Sequence, residues 1–492
     1  MRSVRSIWVL PVLAMLLLFT SAAIGEAVHL TSLSDLSGGD LWRHLSTGLW
    51  IMHSHGLPHN GLYSQSSDAV WIASSWGYDL LLAFGYRLLE LRSIPALHMC
   101  FKVALAVVTF LLAGGLRGSF WPGVALSTVA QYILVHIQPS PSCCSIVLLA
   151  VELLLLSESR RTGGVRALFW LPPIFLLWAN LHVQFVYGVV LLLLFLATSL
   201  LEDVGLRSGS KGQTSISPKI LGIVTVLCLI ASLITPYFYH PYEVFLASVT
   251  SAANPYFLEF RAMGFRQAQD YVLLLLTMAA FLSLGRRRSR DPFQISLLIG
   301  CAVLSFHARR DLWLVTLAAV LVIGEAFCGA SSLLDAEQKQ ARTRQMLTAA
   351  ALTVAALILA VMIRIPNSRE ALLGRVAATY PVAACNYIRE HHLPQPLFNP
   401  YEWGGFLTWY LPKYPVAIDD RTDLYGDDFM IQYSKVMNAD LPYTAYPPLA
   451  QAATILLQRN SLMDEALRTV PAFKVAYSDN VAVVLMRKGS HD

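Results

Sequence analysis

The sequence predicts an α-helical polytopic membrane protein with about eleven spans, its N-terminus inside and its C-terminus outside, and a small C-terminal extracytoplasmic α/β domain. Three observations predict this class. Hydrophobic residues make up 55% of the 492 residues and charged residues only 14%, whereas about a quarter of a soluble domain is charged. Long apolar runs recur over residues 1–364, and mixed, turn-rich sequence follows over residues 365–492. Because backbone polar groups in lipid must be satisfied within the segment, such runs form helices.

The apolar runs approach the length needed to cross a hydrocarbon core of about 30 Å. They lie at about 7–25, 95–115, 120–137, 143–156, 167–179, 183–201, 219–236, 270–285, 293–306, 311–328 and 346–364. The first run follows MRSVR, and SAAIGEA after it resembles the cleavage region of a signal peptide. We favour an uncleaved first span, because the run is long enough to cross and many spans follow.

The orientation follows from the Lys and Arg residues of the short loops, which are enriched on the cytoplasmic side. With these spans, every basic cluster falls on one side of the membrane: Arg2 and Arg5; Arg117; Arg160, Arg161 and Arg166; Arg207, Lys211 and Lys219; Arg286, Arg287, Arg288 and Arg290; Lys339, Arg342 and Arg344. We therefore expect a multi-pass protein of the plasma (inner) membrane. Its C-terminal domain and candidate active site would be extracytoplasmic, on the periplasmic side.

Residues 74–92 are predicted to form an amphipathic helix on the outer surface. This segment carries Asp79, Arg87 and Glu90, and counting it as a span would reverse the orientation of every later loop. Residues 26–93 then form one large external loop.

The tail after residue 364 has the periodicity of a soluble domain. Residues 380–392 predict an amphipathic helix, and four segments predict strands: 415–420, 453–458, 473–478 and 481–487. The chain therefore divides into a membrane domain, 1–364, and an extracytoplasmic α/β domain, 365–492.

Two adjacent arginines, Arg309 and Arg310, fall on the outer side, where basic residues are disfavoured. An outer-leaflet phosphate would favour that placement, because the guanidinium fork pairs with phosphate through two hydrogen bonds. Snorkelling towards lipid headgroups is the alternative. The tight connection WANLHVQF adds Asn180 and His182 to the same side.

Asp40 stands in the first external loop, in the stretch GGDLWRHL. It suits the N-cap of the helix that follows, with His44 one turn later on the same face. A carboxylate at the lipid–water boundary could accept a proton from an attacking hydroxyl or bind a divalent metal ion. The alternative is a helix cap whose neighbours Trp42 and Trp50 anchor the helix at the interface.

Several functional classes are disfavoured. The net charge of +5 and the lack of a basic tract argue against nucleic-acid binding, and no Gly-rich phosphate loop indicates a nucleotide site. The seven cysteines show no spacing typical of disulfides or zinc sites.

These motifs together resemble the glycosyltransferase C superfamily, and within it a bacterial group with an Asp-Leu-Trp-x-His-Leu motif in the first loop. The shared features occur in order: DLWRHL, then VWIASSWGYDLL, WANLH, ARR, and FNPYEWGGFLTWYLPKYPVAIDDRTDLYG. Where the group pattern has an aspartate two residues before Asp40, this chain has Gly38.

The resemblance implies an inverting membrane glycosyltransferase of the hexosyltransferase type. Its donor would be a polyprenyl-phosphate (or diphosphate) sugar, and its acceptor a hydroxyl on a glycan, lipid or protein outside the cytoplasm. Asp40 would be the base, and Arg309 and Arg310 would hold the donor phosphate. We expect His44, His182, Asn180 and Trp403 to line the cavity. Mg²⁺ or Mn²⁺ could bind Asp35 and Asp40, but Gly38 favours Asp40 acting alone as base.

Alternatives remain at this stage. The tail resembles, more distantly, the Trp-Trp-Asp-Tyr-Gly region of oligosaccharyltransferases, so Trp403 could contact sugar or peptide, or could instead lie in a turn that packs the tail onto the membrane domain. The acidic set Asp419, Asp420 and Asp423 could bind a cation or lie in a solvated loop.

A transporter or flippase of a lipid-linked glycan would require charges deep in the spans. Lys102, which could snorkel or line the cavity, is the only such charge expected.

Overall fold

The computed structural model describes residues 40–117, 120–135, 137–203, 216–257, 259–289, 291–328 and 369–489. Four expectations lie outside these residues: the first and last apolar runs, the domain boundary at 364, and the contribution of Asp35. So do the basic clusters at Arg2 and Arg5, at Arg207 and Lys211, and at Lys339, Arg342 and Arg344. Those expectations stay predictions.

The first 328 residues are helical where they are described. The α-helices are α1 (Asp40–Ser54), α2 (Trp76–Leu89), α3 (Ser93–Leu112), α4 (Phe120–Ile133), α5 (Ser142–Thr162), α6 (Leu171–Leu181), α7 (Phe185–Asp203), α8 (Pro218–Ser232), α9 (His240–Thr250), α10 (Ala268–Arg286), α11 (Pro292–His307) and α12 (Leu312–Cys328). Five helical segments are long and apolar enough to cross a membrane, and three shorter apolar helices accompany them. The predicted polytopic helical class is confirmed, whereas the number of spans and their orientation stay predictions.

Helix α12 is the centre of the helical part. Its residues 313–324 are all buried, including Trp313. A helix that is apolar on every face is typical of a bundle core. Arg310, two residues before this helix begins, is therefore anchored to the most firmly packed helix of the bundle.

Helix α2 has the amphipathic character predicted for residues 74–92. Tyr78 and Leu82 are buried, while Leu81, Phe84 and Leu88 form an exposed apolar stripe. The chain bends after it, because Glu90 has a φ of 50° in the left-handed region. The segment Trp76–Leu112, which includes this helix, is one of the five that are apolar enough to cross a membrane, so the position of α2 on the membrane surface stays a prediction.

The tail forms a four-stranded sheet in the order β1-β2-β4-β3, flanked by short helices. Strand β1 is parallel to β2, and the other two pairs are antiparallel. The elements are α13 (Arg369–Val376), α14 (Val382–Glu390), β1 (Leu397–Phe398), α15 (Tyr401–Tyr410), α16 (Thr422–Tyr425), α17 (Asp427–Met437), α18 (Pro447–Ala450), β2 (Thr454–Gln458), α19 (Leu462–Arg468), β3 (Phe473–Ser478) and β4 (Ala482–Arg487). The α/β class, helix α14 and strands β2 to β4 were all predicted and are confirmed.

The predicted strand at 415–420 is wrong. The segment is extended, but its backbone groups bond elsewhere. The side chain of Asn399 donates to the Ile418 carbonyl and accepts from the Ala417 amide, and the Val416 amide donates to the carbonyl of Tyr63 in the first external loop. Because these partners satisfy the segment, it connects the tail to the membrane domain rather than extending the sheet.

The tail and the helical part share a hydrophobic cluster centred on Trp42 of α1. The Trp42 side chain is 0% exposed. Its ring stacks on Trp409 with centroids 4.6 Å apart, and it meets Phe406 edge to face at 5.5 Å. The expectation that Trp42 anchors α1 at a lipid interface is therefore wrong, because the residue packs against α15 instead.

Two expectations about charge in the spans are also wrong. Lys102 neither snorkels nor lines the candidate cavity, because its ammonium donates to the carbonyls of Leu134 and Val135 just beyond the end of α4. The expectation that Lys102 is the only charged residue deep in the spans is also wrong, because it overlooks Glu152 of α5. It is 0% exposed, and neither carboxylate oxygen has a hydrogen-bond partner among the described residues.

Replacing Gly404 by alanine is expected to destabilise the tail. A Cβ at this position would lie 2.1 Å from the Ile418 carbonyl oxygen and 2.7 Å from Cα of Asp419. Since the neighbours are largely backbone, we expect a loss of about 1–3 kcal/mol. Gly374→Ala on α13 is the matched control, because nothing lies within 4 Å of its Cβ and alanine favours helix by about 1 kcal/mol. Thermal unfolding of the detergent-solubilised variants measures both, and equal melting temperatures would contradict the close approach.

Candidate active site

A cavity of about 580 Å³ lies where the helical part meets the tail. Five of the residues singled out in the sequence line it: Asp40, His44, His182, Arg309 and Arg310. Side chains that the sequence did not assign to the site complete the lining, among them Arg43, Gln184, Ser248, Glu259, Tyr401 and Asp420. The lining of the cavity therefore combines basic and acidic side chains.

Arg310 is held against the cavity wall but keeps hydrogen-bonding capacity. Its Nη2 donates to Ser248 Oγ at 3.1 Å, and its guanidinium lies 4.3 Å from the ring centroid of Phe260. Its buried Nε has no hydrogen-bond partner among the described residues, and the nearest carboxylate oxygen, Oδ1 of Asp311, is 3.9 Å away. A buried donor without a partner is unfavourable, so this nitrogen is suited to an acceptor that enters the cavity.

The backbone of the two arginines fixes the opposite loop. The amide of Arg309 donates to the Arg261 carbonyl at 3.0 Å, and that of Arg310 donates to the Glu259 carbonyl at 2.9 Å. The Arg309 guanidinium contacts Gln267 Oε1 at 2.5 Å and lies 3.8 Å from Asp270. Glu259 is thereby brought into the cavity. Burial raises the pKa of its carboxyl, and Arg310 partly offsets that rise.

A buried chain of contacts runs through α1. Asp420 Oδ2 accepts from Arg43 Nε at 2.5 Å, and Nη2 of Arg43 lies 3.0 Å from Nε2 of His44. Nδ1 of His44 is 2.5 Å from Oδ1 of Asp79 on α2. Because arginine only donates, Nε2 of His44 is the acceptor, and its Nδ1–H donates to Asp79. Burial, together with Arg43, lowers the pKa of His44 well below its ordinary value, so the ring is neutral.

Asp40, the first of the described residues of α1, meets the tail directly. Its carboxyl is hydrogen-bonded to that of Asp420. Burial raises the pKa of Asp40, while the hydrogen bond from Asp420 and the charge of Arg43 lower it in part. Burial also raises the pKa of Asp420 well above the ordinary range for aspartate. The predicted base is thus one member of a pair that two parts of the chain build together.

His182 lies at the connection between α6 and α7. Trp178 Nε1 donates to Ser145 Oγ at 2.8 Å, and Ser145 Oγ lies 2.8 Å from Nδ1 of His182. The serine hydroxyl can donate to Nδ1, which leaves Nε2 of the ring as the protonated nitrogen. Burial and then Arg310 lower the pKa of His182 to about 3, so the ring is a neutral donor.

Buried side-chain contacts hold the loop that carries Asp420. Asp419 and Arg421 form a buried ion pair, with Nη2 to Oδ2 at 2.5 Å and Nε to Oδ1 at 2.9 Å. Arg421 also donates to the Leu62 carbonyl and lies 4.8 Å over the Trp71 ring, both in the first external loop. Burial alone would raise the pKa of Asp419, but Arg421 reverses the effect and the net shift is downward. Asp419 is therefore structural, and Asp420 is presented to Asp40.

Two predicted cavity residues lie elsewhere. Asn180 lies in a separate apolar groove, where its amide donates to the Ile234 carbonyl and accepts from Trp76 Nε1. Trp403 is buried on α15 within the cluster around Trp42. Trp403 therefore has the packing role, which was one of the two possibilities that the sequence left open.

The residues that sequence reasoning missed had weak signals. Asp420 lay within the acidic set of the tail, where a solvated loop was an equal interpretation. Arg43 and Glu259 were given no role from the sequence, and Asp79 was considered only as a charge on an amphipathic helix. A signal that could have been followed is the density of ionisable residues in DDRTD beside a buried apolar segment.

A divalent metal ion fits these residues poorly. Among the residues described, no group of three His, Cys, Asp or Glu side chains is arranged to hold one. The carboxyl hydrogen-bonded to Asp40 is that of Asp420, and one of its oxygens already pairs with Arg43. Divalent cations of this kind take six or more oxygen ligands, so we assign no step to a metal ion.

The fold is similar to that of solved membrane proteins. The oligosaccharyltransferase of Archaeoglobus fulgidus, solved tethered with an acceptor peptide containing the NVT sequon, superposes with a TM-score of 0.51 at 11% identity, covering 90% of this chain and 69% of that one. ArnT from Cupriavidus metallidurans bound to undecaprenyl phosphate gives 0.48 at 14% identity, covering 98% of both chains. No family model and no curated protein matches the chain.

At these identities the similarity concerns the fold. The likeness to the oligosaccharyltransferase supports the polytopic helical fold class that the sequence predicts.

Arg421→Met is expected to destabilise the tail strongly at neutral pH. It leaves Asp419 buried without its partner, for which we expect a loss of about 3–5 kcal/mol. Because Asp419 has a lowered pKa in the folded state, the ion pair stabilises the fold above the ordinary aspartate pKa of about 4. That contribution is lost as the pH falls through the lower folded-state value.

Thermal unfolding at pH 7 and in steps below pH 4 measures this effect. The difference between the wild type and Arg421→Met should shrink as the pH falls. Arg161→Met is the control, because its pair with Glu158 is exposed and is worth less than about 1 kcal/mol. A difference that does not depend on pH would show that the pair is not responsible.

Proposed function

We propose that this protein is a membrane glycosyltransferase that moves a sugar from a polyprenyl-phosphate (or diphosphate) donor to a hydroxyl acceptor outside the cytoplasm. The observation that carries the proposal is that one cavity is lined both by the arginine pair and by Asp40. The fold likeness to an oligosaccharyltransferase supports the same kind of reaction. This similarity is one of fold, so the proposed chemistry rests on the residues that line the cavity.

The arginines would bind the phosphate of the donor. Arg310 offers a buried nitrogen without a hydrogen-bond partner among the described residues, and Arg309 is half-exposed beside it. Guanidinium groups pair with phosphate through charge-assisted hydrogen bonds. As the bond between the sugar and the phosphate breaks, negative charge grows on the leaving oxygen, and fixed positive charge there lowers the barrier.

Asp40 would be the base. The acceptor hydroxyl attacks the anomeric carbon on the face opposite the phosphate, and its proton passes to Asp40. One carbon–oxygen bond forms as the carbon–oxygen bond to the phosphate breaks, so the configuration is inverted in a single displacement. The lipid phosphate leaves with the electron pair, and His182 is placed to donate a hydrogen bond within the cavity.

The orientation inferred from the basic loops would put this reaction on the periplasmic side of the inner membrane. The acceptor class is open: a glycan, a lipid or a protein could supply the hydroxyl. An oligosaccharyltransferase-like enzyme, which acts on peptide, is the nearest variant of the proposal, since the solved structure of similar fold was captured with an acceptor peptide.

Transport of a lipid-linked glycan is a second candidate, and Glu152 is the observation that favours it. A buried acid in a membrane-spanning helix is what a transport path would contain. Neither of its carboxylate oxygens has a hydrogen-bond partner among the described residues.

Asp40→Asn is expected to stop consumption of the donor. Loss of a general base lowers a rate by about 10²- to 10⁴-fold. The measurement is mass spectrometry of lipid-linked sugars in the wild type, a deletion strain, and strains that carry variants at normal abundance in the membrane. We expect a polyprenyl-linked sugar to accumulate in the deletion strain and in Asp40→Asn.

Asp68→Asn is the matched control, because Asp68 is an exposed carboxylate of the same external loop and is not part of the cavity. It should leave the lipid pool unchanged. A pool altered by the deletion but normal in Asp40→Asn would contradict the role of Asp40 and favour transport.

A further inference from the structure

The side-chain amide of Gln184 lines the candidate cavity without a hydrogen bond to the rest of the described chain. Gln184 is 6% exposed. Its Oε1 is buried and has no partner among the described residues, and its Nε2 donates to none of them. A buried amide without partners is unfavourable in a folded protein. Gln184 is therefore suited to a group that enters the cavity and can both donate and accept a hydrogen bond.

The backbone of Gln184 is held at the start of α7. Its carbonyl accepts from the Tyr187 amide at 3.0 Å. The Tyr187 hydroxyl in turn donates to Oδ2 of Asp311 at 2.8 Å. Asp311 follows Arg310 directly in the chain, so the first turn of α7 is attached to the segment that carries the two arginines. The position of Gln184 is thereby set relative to the proposed phosphate site.

The connection between α4 and α5 adds neutral polar groups to the same cavity. Ser140 and Ser142 both line it, and their Oγ atoms are 2.6 Å apart. One hydroxyl donates to the other, which leaves the second hydroxyl hydrogen available to a ligand. Ser145, in the first turn of α5, has its Oγ 2.8 Å from Nδ1 of His182, so this connection and the one that carries Gln184 lie side by side. None of the residues of these two connections that line the cavity is Asp, Glu, Lys or Arg.

These groups match a sugar ring better than they match the other two parts of the donor. A sugar hydroxyl can donate to Oε1 of Gln184 and accept from its Nε2, whereas an ionised phosphate oxygen only accepts and an isoprenoid chain does neither. The sugar of the donor is bonded directly to the phosphate. A phosphate held by Arg309 and Arg310 therefore places the sugar in the cavity that Gln184 lines.

We propose that Gln184, together with Ser140 and Ser142, forms the subsite for the sugar ring of the donor, and that Gln184 determines specificity by exchanging hydrogen bonds with one sugar hydroxyl. The inference rests on the proposed function and names the part of the donor that this region recognises. No covalent bond forms or breaks at the subsite. A sugar without a hydroxyl at the recognised position leaves the amide buried and unpartnered, so the subsite selects against it.

Methionine at position 184 tests the subsite, because it keeps the length of the side chain and removes both hydrogen-bonding groups. Binding of two probes to the purified protein in lipid nanodiscs is compared. One is the polyprenyl-linked sugar purified from the deletion strain, and the other is undecaprenyl phosphate, which carries no sugar. Gln131→Met is the matched control, since Gln131 also has a buried Oε1 without a partner in the described structure but lies on α4 outside the cavity.

We expect Gln184→Met to weaken binding of the sugar-linked lipid by about 10- to 100-fold, as for the loss of two neutral hydrogen bonds. Its affinity for undecaprenyl phosphate, and both affinities of Gln131→Met, should equal those of the wild type. Gln184→Asn, whose amide is retracted by one methylene, should weaken binding of the sugar-linked lipid alone. Asparagine suits the position before a helix, so this variant decides the question if the melting temperature shows that Gln184→Met does not fold.

Three results would overturn the inference. Unchanged affinity of both Gln184 variants for the sugar-linked lipid would show that water satisfies the amide. An equal loss of affinity for both lipids would assign Gln184 to the phosphate, and normal binding with slower consumption of the sugar-linked lipid would assign it to the acceptor.

The proposed function is tested separately in the same assay. Asp40→Asn should bind the sugar-linked lipid like the wild type and fail to consume it. A wild type that neither binds nor consumes this lipid would refute the proposed function, and the inference with it. A wild type that does both, beside Gln184 variants that behave identically to it, would refute the inference alone.

Discussion

The contact between Arg43 and Asp420 is the interaction on which the candidate site depends. It joins residues 377 positions apart at 2.5 Å, and so fixes the tail against the first helix of the external loop. Around it, Trp42 packs onto α15, and Arg421 reaches into the first loop. Because the pair is buried between packed aromatic and charged groups, the position of Asp420 is set by the whole interface rather than by its own loop.

The cavity brings together basic and acidic groups that suit a reaction between an anionic donor and a neutral acceptor. Arg309 and Arg310 stand just before α12, the most buried helix of the bundle, and their backbone amides hold the loop that carries Glu259. The acids are collected on α1, that loop and the tail. Two neutral histidines also line the cavity, His44 as an acceptor for Arg43 and His182 as a donor. Preorganised groups of this kind need little rearrangement when charge moves from acceptor to phosphate.

Much of the fold could be predicted because its signals are local. Apolar runs indicated the helical bundle, and short apolar segments of the tail indicated β2 to β4. The extended segment 415–420 has the same local pattern, but its hydrogen bonds go to Asn399 and Tyr63, which no local rule reveals. In the site, Arg310 stood out as a basic residue on the disfavoured side. The contact between Asp40 and Asp420 could not be predicted from sequence spacing, because it forms only when α1 and the tail pack together.

The most direct test of the account is a cryo-electron microscopy structure of the protein in lipid nanodiscs with a polyprenyl phosphate added. We predict density for the phosphate within hydrogen-bonding distance of the guanidinium groups of Arg309 and Arg310. Asp40 and Asp420 should face it across the same cavity, with their carboxyls still in contact. Phosphate bound outside this cavity, or against residues other than the two arginines, would contradict the account.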